Sequence, residues 1–328
     1  MTTAAPPQRF VAQLAQLVTV PPTGDGWLHE MKYDGYRIGC RIAAGDVQLL
    51  SRNGKDWTAR FAPVAEAARR LKVDNTLLDG EVAIVLPSGQ TSFQALQNVA
   101  AGGAGKLVYF VFDLLFLDGV DLRQLPLCER KNRLQRLLRR APRLFQYSAH
   151  VIGDGPRTLA EACRLGAEGI VSKRADRPYT GGRGAAWVKT KCIARQEFVI
   201  VGFTEPRGSR SGLGALLVGT YDGTGALQFA GKVGTGFSQQ SAAALRTRLE
   251  TLRRPTSPLA RLPAGALGRS ARWVEPRLVA EVAFTEWTAD GKIRHPSFQG
   301  LREDKDPRRI CRETAASLVP DASRRRRR

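Results

Sequence analysis

The sequence predicts an α+β protein with two domains, and three observations support that prediction. Its 328 residues exceed what one compact domain usually holds. In the first half of the chain, short apolar strands alternate with amphipathic helices. After about Ala194 the pattern changes to closely spaced strands with a single helix. We therefore expect domains at 1–195 and 196–320, followed by a disordered basic tail at 321–328.

The first domain is predicted to contain antiparallel sheets with flanking helices. Strand patterns, several of which end in Asp-Gly or Gly-rich turns, occur at 27–32, 37–42, 47–51, 76–86, 107–117 and 169–172. Helical spacing of apolar residues occurs at 61–71, 128–140 and 155–165. The helix predicted at 128–140 is densely basic.

The second domain is predicted to be a small β-barrel. Strand patterns occur at 197–204, 214–221, 227–233 and 278–287, and the Asp222-Gly223 pair between two of them indicates a hairpin. One helical stretch, at 238–253, interrupts the strands. Several short strands with one helix in a domain of this size fit a barrel of the oligonucleotide-binding type.

The chain carries a large excess of positive charge. It has 51 Lys and Arg residues against 30 Asp and Glu residues, a formal net charge of +21. The terminal arginine run 324–328 accounts for only five of these charges, so the excess is spread along the chain. A surface of this kind attracts polyanions, and nucleic acid is the expected partner. Solvated charges without a polyanionic partner are the alternative that composition leaves open.

Composition also excludes several classes of protein. The sequence has no apolar stretch long enough to span a membrane, and its N-terminus lacks the apolar core of a secretory signal. With three histidines and no C-x-x-C pair, zinc ribbons and His-based metal cages are disfavoured. We expect the five cysteines to be free thiols in a reducing cytosol: Cys40, Cys128, Cys163, Cys192 and Cys311.

The candidate nucleophile is Lys32, in the sequence KYDGYR at 32–37. Side chains two residues apart on a strand point to the same face, so Glu30 and Lys32 are expected to face the same way. The Asp34-Gly35 turn would leave the lysine at a strand end, facing a cleft. A lysine amine is a capable nucleophile once neutral, but its ordinary pKa is about 10.4, so it needs cationic neighbours or a metal to release its proton. The alternative is a surface hairpin with an ordinary Asp-Gly turn.

Residues 32–37 resemble the nucleotidyl-lysine motif of the superfamily of ATP-dependent DNA ligases, RNA ligases and mRNA-capping enzymes. The later motifs of that superfamily are matched in the expected order by LDGE at 78–81, FDLL at 112–115, EGIVSK at 168–173 and WVKTK at 187–191. The five matches together cover most of 27–191. The resemblance implies a nucleotidyltransferase (adenylation) domain followed by an OB-fold domain.

The resemblance assigns roles around ATP, which would serve as the AMP donor. Lys32 would form the bond to AMP, and Asp34 belongs to the same catalytic motif. Lys189 and Lys191 alternate on a strand, so both would project toward the phosphates, and their charge could lower the pKa of Lys32. Glu168 would hold Mg²⁺ or Mn²⁺, which prefers one or two carboxylates with phosphate oxygens. The resemblance implies four further ATP contacts. Glu30 would recognise adenine, Phe112 would stack on it and Glu81 would contact the ribose, and Arg37 is also an ATP contact.

Further basic residues are expected to contact phosphates. Arg52, in SRNG at 51–54, would reach phosphates of the nucleotide or of a nick, although an ordinary surface hairpin remains open there. The stretch LREDK at 301–305 resembles the last ligase motif, in which Arg302 and Lys305 would orient pyrophosphate during self-adenylation. The expected DNA contacts also include Arg294, Arg324 and Arg325.

Several stretches narrow the resemblance to the ligase module of bacterial ligase D, the end-joining ligase: 112–119, 122–131, 233–237 and 284–305. Many members fuse this module to polymerase-primase and 3′-phosphoesterase domains. Neither is present here, so a stand-alone protein and an excised module both remain open. The resemblance implies nicked duplex DNA as substrate, bacterial Ku and a separate polymerase or phosphoesterase as partners, and the cytoplasm as the location.

The reaction implied is ATP-dependent DNA ligation in double-strand break repair by end joining. Lys32 takes AMP from ATP, AMP passes to the 5′-phosphate of a nick, and the 3′-OH then seals the nick. An NAD-dependent ligase is disfavoured because no cysteine-rich zinc module exists. A capping guanylyltransferase is disfavoured by the ligase-type last motif. A non-catalytic nucleic-acid-binding protein is disfavoured because the lysine and the motif carboxylates are all present.

Overall fold

The computed structural model describes residues 4–97, 105–206, 212–263, 267 and 270–315. The chain divides into two compact units, with the boundary between Cys192 and Ile193, and the second unit extends to Glu313. The boundary predicted at 195/196 falls just inside the first strand of the second unit. The tail predicted at 321–328 lies outside the described residues, as do Arg324 and Arg325.

The first unit contains two sheets. One has the order β1-β11-β10-β2-β9 and is antiparallel except for the β1–β11 pair. Its strands are β1 (Gln13–Leu17), β2 (Thr23–Met31), β9 (His150–Asp154), β10 (Gly169–Arg174) and β11 (Gly182–Lys191). The other has the order β4-β3-β5-β6-β7, with β8 parallel to β6. Its strands are β3 (Tyr36–Ala43), β4 (Asp46–Ser51), β5 (Thr76–Val85), β6 (Lys106–Leu117), β7 (Val120–Asp121) and β8 (Phe145–Tyr147).

In the described residues of this unit, the helices that accompany the sheets are α1 (Ala62–Arg69), α2 (Phe93–Gln97), α3 (Leu127–Leu138) and α4 (Gly155–Arg164). Leu134 and Leu138 of α3 and Val64 of α1 join a core on one face of the second sheet. On its opposite face, Phe112 of β6 packs with Trp187 of β11, so this second core joins the two sheets. Helices α1, α2 and α3 therefore flank the second sheet and the first sheet covers its remaining face, whereas α4 packs on the first sheet.

The chain passes from the first sheet to the second through residues 32–35, between β2 and β3. The backbone N–H of Lys32 donates to the carbonyl of Gly169, at 2.9 Å, and fixes the end of β2 beside β10. A Cβ atom at Gly35 would lie 2.2 Å from the carbonyl oxygen of Val82, so only glycine allows this close approach. The turn predicted from Asp34-Gly35 thus places Lys32 where the two sheets meet.

The second unit is a sheet with the order β14-β13-β12-β16-β17, to which β15 adds by pairing with β12. Backbone pairing between Thr235, just after β14, and Ser297 of β17 brings the two edges together and closes a barrel. The strands are β12 (Ala194–Thr204), β13 (Ala215–Tyr221), β14 (Leu227–Val233), β15 (Ala271–Trp273), β16 (Val279–Phe284) and β17 (Ser297–Leu301), and a helix, α5 (Gln239–Glu250), follows β14.

The α+β class with antiparallel sheets is confirmed. The helices predicted at 61–71, 128–140, 155–165 and 238–253 correspond to α1, α3, α4 and α5. The strand predicted at 278–287 is shorter, because β16 ends at Phe284 and the chain then forms a hairpin in which Trp287 pairs with Ile293. Strands not predicted are β1, β7, β8, β9, β15 and β17.

The expectation of five free thiols is wrong, because Cys163 and Cys192 form a disulfide. Cys163 lies in the last turn of α4, and Cys192 directly follows β11. The backbone N–H of Cys192 donates to the carbonyl of Glu168 at 3.0 Å, which brings the two segments together. A sequence separation of 29 residues gave no local pattern for this pair. Cys40, Cys128 and Cys311 are free.

In the described part of the chain, we find no helix with the length and apolar character needed to cross a membrane.

Candidate active site

Lys32 lies in a cluster of carboxylates. Its Nζ is 2.5 Å from Oε2 of Glu168, and its side chain is 24% exposed, enough for a ligand to reach it. Burial alone lowers the pKa of Lys32, but Glu168 outweighs it, with help from the charges of Glu81 and Asp34, so the pKa is raised. The prediction that nearby lysines lower this pKa is therefore wrong for this arrangement of charges. Lys32 is held as an ammonium ion, which has to lose a proton before it can attack.

Asp34 fixes the turn that follows the lysine. Its carboxylate accepts a hydrogen bond from the backbone N–H of Phe93, at 3.2 Å. Its own backbone N–H donates to the hydroxyl of Thr91 at 3.0 Å. Both bonds tie the turn to the start of α2. The side chain therefore has a positioning role here, in addition to the negative charge that it places near Lys32.

Arg37 is bound to protein groups through all of its guanidinium nitrogens. Nε and Nη2 donate to the two carboxylate oxygens of Asp79 at 2.9 and 2.6 Å, and Nη1 donates to the carbonyl of Gln13 at 2.6 Å. The hydroxyl of Tyr179 also donates to Asp79, at 2.8 Å. Gln13 and Asp79 belong to different sheets, so these contacts join the sheets. The arrangement gives Arg37 a structural role that the prediction of an ATP contact did not include.

Glu81 faces the same side of the second sheet as Arg37, because the two residues are paired in the β3–β5 register. Its charge acts on both Lys32 and Arg37. The structure thus brings Glu81 to the nucleophile, as the motif order led us to expect.

Lys189 and Lys191 lie on the face of the first sheet that carries Glu30. Lys189 is paired with Val171, which is paired in turn with Glu30 on β2. Lys191 is paired with Gly169, the neighbour of Glu168. Because paired residues share a face of a sheet, the two lysines project to the side on which Lys32 lies. The alternation predicted for them agrees with this register.

Glu30 is the centre of a buried ion cluster. Its Oε1 accepts from Nζ of Lys131 at 2.7 Å. Its Oε2 accepts from the hydroxyl of Ser148 at 2.7 Å and lies 3.0 Å from Nζ of Lys173. Burial raises the pKa of Glu30, but Lys131 and Lys173 outweigh it, so the pKa is lowered. Both carboxylate oxygens are used by protein donors in this structure, whereas the prediction treated Glu30 as a reader of adenine.

Lys131 and Lys173 were not identified from the sequence. Nζ of Lys173 lies 4.2 Å from the ring centroids of both Phe112 and Trp187. Burial lowers the pKa of Lys173 to about 8, and the charge of Lys131 adds to that effect. Lys131 is 101 residues from its partner Glu30 along the chain, so no local pattern could have revealed the pair.

Phe112 and Phe110 are both buried, with 8% and 9% of their surfaces exposed, so the two differ in their contacts and not in their burial. The ring of Phe112 is covered by Lys173 and by the guanidinium of Arg37, at 5.0 Å, and it packs edge-on against Trp187. Phe110 is the aromatic residue next to the nucleophile, because its ring stacks on Tyr33 with centroids 3.9 Å apart and planes 6° apart. The stacking role predicted for Phe112 is therefore not supported by its contacts. Phe110 and Phe112 lie two residues apart on one strand, so the sequence alone does not show which of them is next to the nucleophile.

Arg52 directly follows β4, at the edge of the second sheet, and is half-buried. The turn at 51–54 predicted there is present, with Gly54 at a φ of 78°.

The predicted residues of the second unit have partners inside that unit. Arg302 makes a forked pair with Asp304, at 2.8 Å on both sides, and its Nη1 donates to Glu281 at 3.0 Å. Lys305 pairs with Glu197 at 2.7 Å. Arg294, on the surface, pairs with Glu286 at 2.8 Å.

Within the described ranges, no group of three or more His, Cys, Asp or Glu side chains is arranged to hold a metal ion. Magnesium, however, often binds through one or two carboxylates while phosphates and water supply its other ligands. Glu168 and Glu81 both lie near Lys32, where phosphates would be. These residues fit a magnesium ion shared with a nucleotide, and they do not fit a structural zinc site.

Known families match both units. Residues 12–191 match the ATP dependent DNA ligase domain, and residues 209–305 match the ATP dependent DNA ligase C terminal region. The chain is 44% identical over 318 residues to the multifunctional non-homologous end joining protein LigD of Pseudomonas aeruginosa, covering 96% of this chain and 38% of that protein. It is 39% identical over 294 residues to the Mycobacterium tuberculosis LigD protein, covering 88% of this chain and 37% of that one. The chain thus spans less than half the length of these relatives.

Among solved structures, the chain is similar to mycobacterial DNA ligase D complexed with ATP and MES. The sequence identity is 36% and the TM-score is 0.72, with 93% of this chain and 99% of that chain covered. The ligase domain of M. tuberculosis LigD matches with a TM-score of 0.53 at the same identity. These neighbours combine a nucleotidyltransferase domain with a C-terminal OB-fold domain, the architecture expected from the sequence. The chain therefore belongs to the ATP-dependent DNA ligase family.

Proposed function

We propose that this chain seals nicks in duplex DNA with ATP as the AMP donor and Lys32 as the residue that carries AMP. The observation that supports this most strongly is the position of Lys32. It sits at the junction of two sheets, with Glu168 in contact, the charge of Glu81 on β5 acting on it, and two further lysines on β11 facing the same side. An amine placed among carboxylates and further cations suits nucleotidyl transfer.

In the first step, Nζ of Lys32 attacks the α-phosphorus of ATP. A P–N bond forms, the bond to pyrophosphate breaks, and the amine loses its protons to solvent or to a neighbouring base. The ion pair with Glu168 opposes this step, because it stabilises the ammonium form. Mg²⁺ or Mn²⁺ bound at Glu168 would neutralise that carboxylate and stabilise the charge on the departing pyrophosphate. Lys189 and Lys191 on β11, the strand beside β10, offer two cations to the phosphate oxygens.

In the second step, a 5′-phosphate oxygen at the nick attacks the lysyl-AMP phosphorus and releases the amine. In the third, the 3′-hydroxyl attacks the 5′-phosphorus and AMP leaves. Both steps need the DNA backbone to be held by cationic groups, for which Arg52 and Arg294 are candidates. Contacts of this type read phosphate and shape, so we expect no sequence preference.

For the base, we propose Phe110 as the aromatic contact in place of Phe112. Phe110 and Tyr33 already form a parallel stack directly after the nucleophile. Burial raises the pKa of Tyr33 to about 12, so the ring remains uncharged and suited to stacking. The neighbouring carboxylate of Glu30 would reach the base only by exchanging one of its present donors.

The biological setting is a further part of the proposal. The named relatives are multifunctional end-joining proteins of which this chain spans less than half, so a role in end joining is proposed from similarity. Bacterial Ku and a separate polymerase or phosphoesterase would be the partners in that setting. The cytoplasm of a bacterium, where its DNA lies, would be the place of action.

A sealing assay tests the proposed function. A duplex with one 5′-phosphorylated nick, a fluorescent label and no other break is incubated with the protein, Mg²⁺ and one nucleotide. We expect the longer labelled strand to appear with ATP and not with GTP or NAD. Sealing with GTP or NAD alone, or no sealing and no adenylated DNA with ATP, would contradict the proposal.

A further inference from the structure

The outer side of α3 and the turn after it carry a row of exposed arginines. Arg133 and Arg136 lie on the helix and Arg140 in the following turn, while Leu134 and Leu138 point into the core. Positions i, i+3 and i+7 lie along one side of a helix, so the three arginines form a stripe roughly 10 Å long. We call this stripe, together with the adjacent Arg139 and Arg143, the α3 arginine face.

This face has no internal charge compensation. In the described part of the chain, none of its arginines forms an ion pair, although Glu129 lies one turn before Arg133. On other helices, Arg69 and Arg164 each lie one turn from a glutamate and pair with it, Arg69 with Glu66 and Arg164 with Glu161. No acidic residue occurs in 133–143. Like charges one turn apart destabilise a helix, so a polyanion that neutralises them is favoured.

The face points away from the site around Lys32. The inner side of α3 carries Lys131, whose Nζ reaches Glu30. At about 100° per residue, the exposed stripe lies on nearly the opposite side of the helix from Lys131. In addition, α3 packs on the face of the second sheet opposite Phe112. DNA held at the α3 arginine face is therefore not the stretch whose nick lies at Lys32.

We propose that the α3 arginine face binds the phosphate backbone of a second duplex DNA segment. The chemistry is that of guanidinium forks on phosphates, which suits a row of arginines better than recognition of a small anion. Three phosphates of one strand occupy about 10 Å of helix axis, close to the length of the stripe. This inference rests on the proposed function in taking DNA as the ligand of the protein.

The test compares two triple variants that remove the same charge. The test variant is Arg133→Gln, Arg136→Gln and Arg140→Gln. The control is Arg69→Gln, Arg70→Gln and Arg164→Gln, whose arginines are each paired with a glutamate. Both replace exposed residues on or next to helices, so both are expected to keep the melting temperature of the parent.

Fluorescence anisotropy with a labelled intact duplex is measured at several salt concentrations. Removing one phosphate contact flattens the slope of log K against log salt by about 0.9, so the slope of the test variant should be smaller by about 2.7. The slope of the control variant should differ from that of the parent by a small fraction of this amount. Equal slopes in the parent and the test variant, or equal flattening in both variants, would overturn the proposal.

A second measurement addresses the separate location of the face. The parent is mixed with one molar equivalent of an unlabelled nicked duplex, which occupies the nick site because its 3′ end is a dideoxynucleotide and cannot be sealed, and the labelled intact duplex is then added. We expect the labelled duplex to bind to the parent and control proteins and not to the test variant. Complete exclusion from the parent would show that both DNAs use one site. Lysyl-AMP formation without DNA, measured on all three proteins, reports separately on the proposed function.

Discussion

At the scale of single residues, the protonation of Lys32 governs the chemistry. The raised pKa means that Lys32 carries its proton throughout the neutral range, where its neutral fraction grows about tenfold for each unit by which the pH rises. Since Glu168 is the main group that raises the pKa, it holds the amine in an unreactive form. The prediction from sequence, that lysines would lower this pKa, failed because Glu168 was assigned only to a metal.

Replacing Glu168 should therefore expose the amine to reagents. In Glu168→Gln the charge is lost and the shape is kept, so the pKa of Lys32 should fall. We expect Lys32 to react with a neutral amine-modifying reagent at pH 8 at least about tenfold faster than in the parent, corresponding to one pKa unit. Peptide mass spectrometry measures this, with the exposed Lys106 as internal reference. An unchanged rate would mean that Glu168 does not hold the proton on Lys32.

Two phenylalanines provide a matched pair of variants. Phe110→Ala should raise the KM for ATP about tenfold or more, because stacking on a base contributes about 1–3 kcal/mol. Phe112→Ala should lower the free energy of unfolding by about 3–5 kcal/mol, because its ring fills the core between the sheets. Steady-state adenylation and urea unfolding measure the two effects. A reversed pattern, with Phe112 controlling KM at unchanged stability, would restore the assignment made from the sequence.

The sequence was sufficient to predict the positions of site residues whose neighbours lie close to them along the chain. Lys32 with its turn, and Lys189 with Lys191, follow from strand alternation and a glycine that the fold requires. It was insufficient where partners lie far apart in the chain. The contacts of Lys131 and Lys173 with Glu30, and the choice between Phe110 and Phe112, depend on how two sheets are packed.

At the scale of elements, long strands and helices followed from their patterns, whereas short strands did not. β1 and β9 occupy the edges of their sheet, and β8 has three residues. Such segments are strands because neighbours pair with them, and their own sequences carry little alternation. The five superfamily motifs at 32–37, 78–81, 112–115, 168–173 and 187–191 could nevertheless be placed on strands, because each lies on or beside β2, β5, β6, β10 or β11, which are longer or more central.

The disulfide is an element-scale constraint, because it ties the last turn of α4 to the end of β11. In the chain-entropy treatment, a loop of 29 residues corresponds to about 3–4 kcal/mol of stabilisation. We expect the Cys163→Ser, Cys192→Ser variant to unfold at a lower urea concentration than the parent, and a reductant to shift the parent to the same value. The variant and Cys128→Ser serve as controls, since a reductant should not move the variant, and Cys128 is unpaired. A parent that is insensitive to reductant would show that the bond does not form in solution.

At the scale of the whole molecule, the order of motifs along the chain and the excess of basic residues together indicated a DNA ligase with two domains. The family match of both units agrees with that. The contribution of the second unit to catalysis is a prediction that depends on Lys305 and Arg302. Within the second unit, both side chains form ion pairs with carboxylates, Arg302 with Glu281 and Lys305 with Glu197.

Lys305→Ala should slow self-adenylation strongly while leaving the sealing of a pre-adenylated nick nearly unchanged, because pyrophosphate takes part only in the first step. Arg302→Ala is expected to behave differently. It removes the guanidinium that pairs with the buried carboxylates of Glu281 and Asp304, and breaking such a buried pair typically costs about 3–5 kcal/mol of stability. Single-turnover rates for the two reactions, with a melting curve for each variant, distinguish these effects. Equal loss of both reactions in a fully folded Lys305→Ala protein would show that the residue does not act on pyrophosphate.

Locating the adenylate on the protein shows whether Lys32 is the residue that carries AMP. The protein is incubated with Mg²⁺ and ATP labelled at the α-phosphate, digested under conditions that preserve phosphoramidates, and examined by mass spectrometry. We expect one AMP per chain on Lys32, an acid-labile bond, release of the label by nicked DNA, and no label on a folded Lys32→Arg protein. AMP on another residue, or undiminished labelling of Lys32→Arg, would contradict the mechanism.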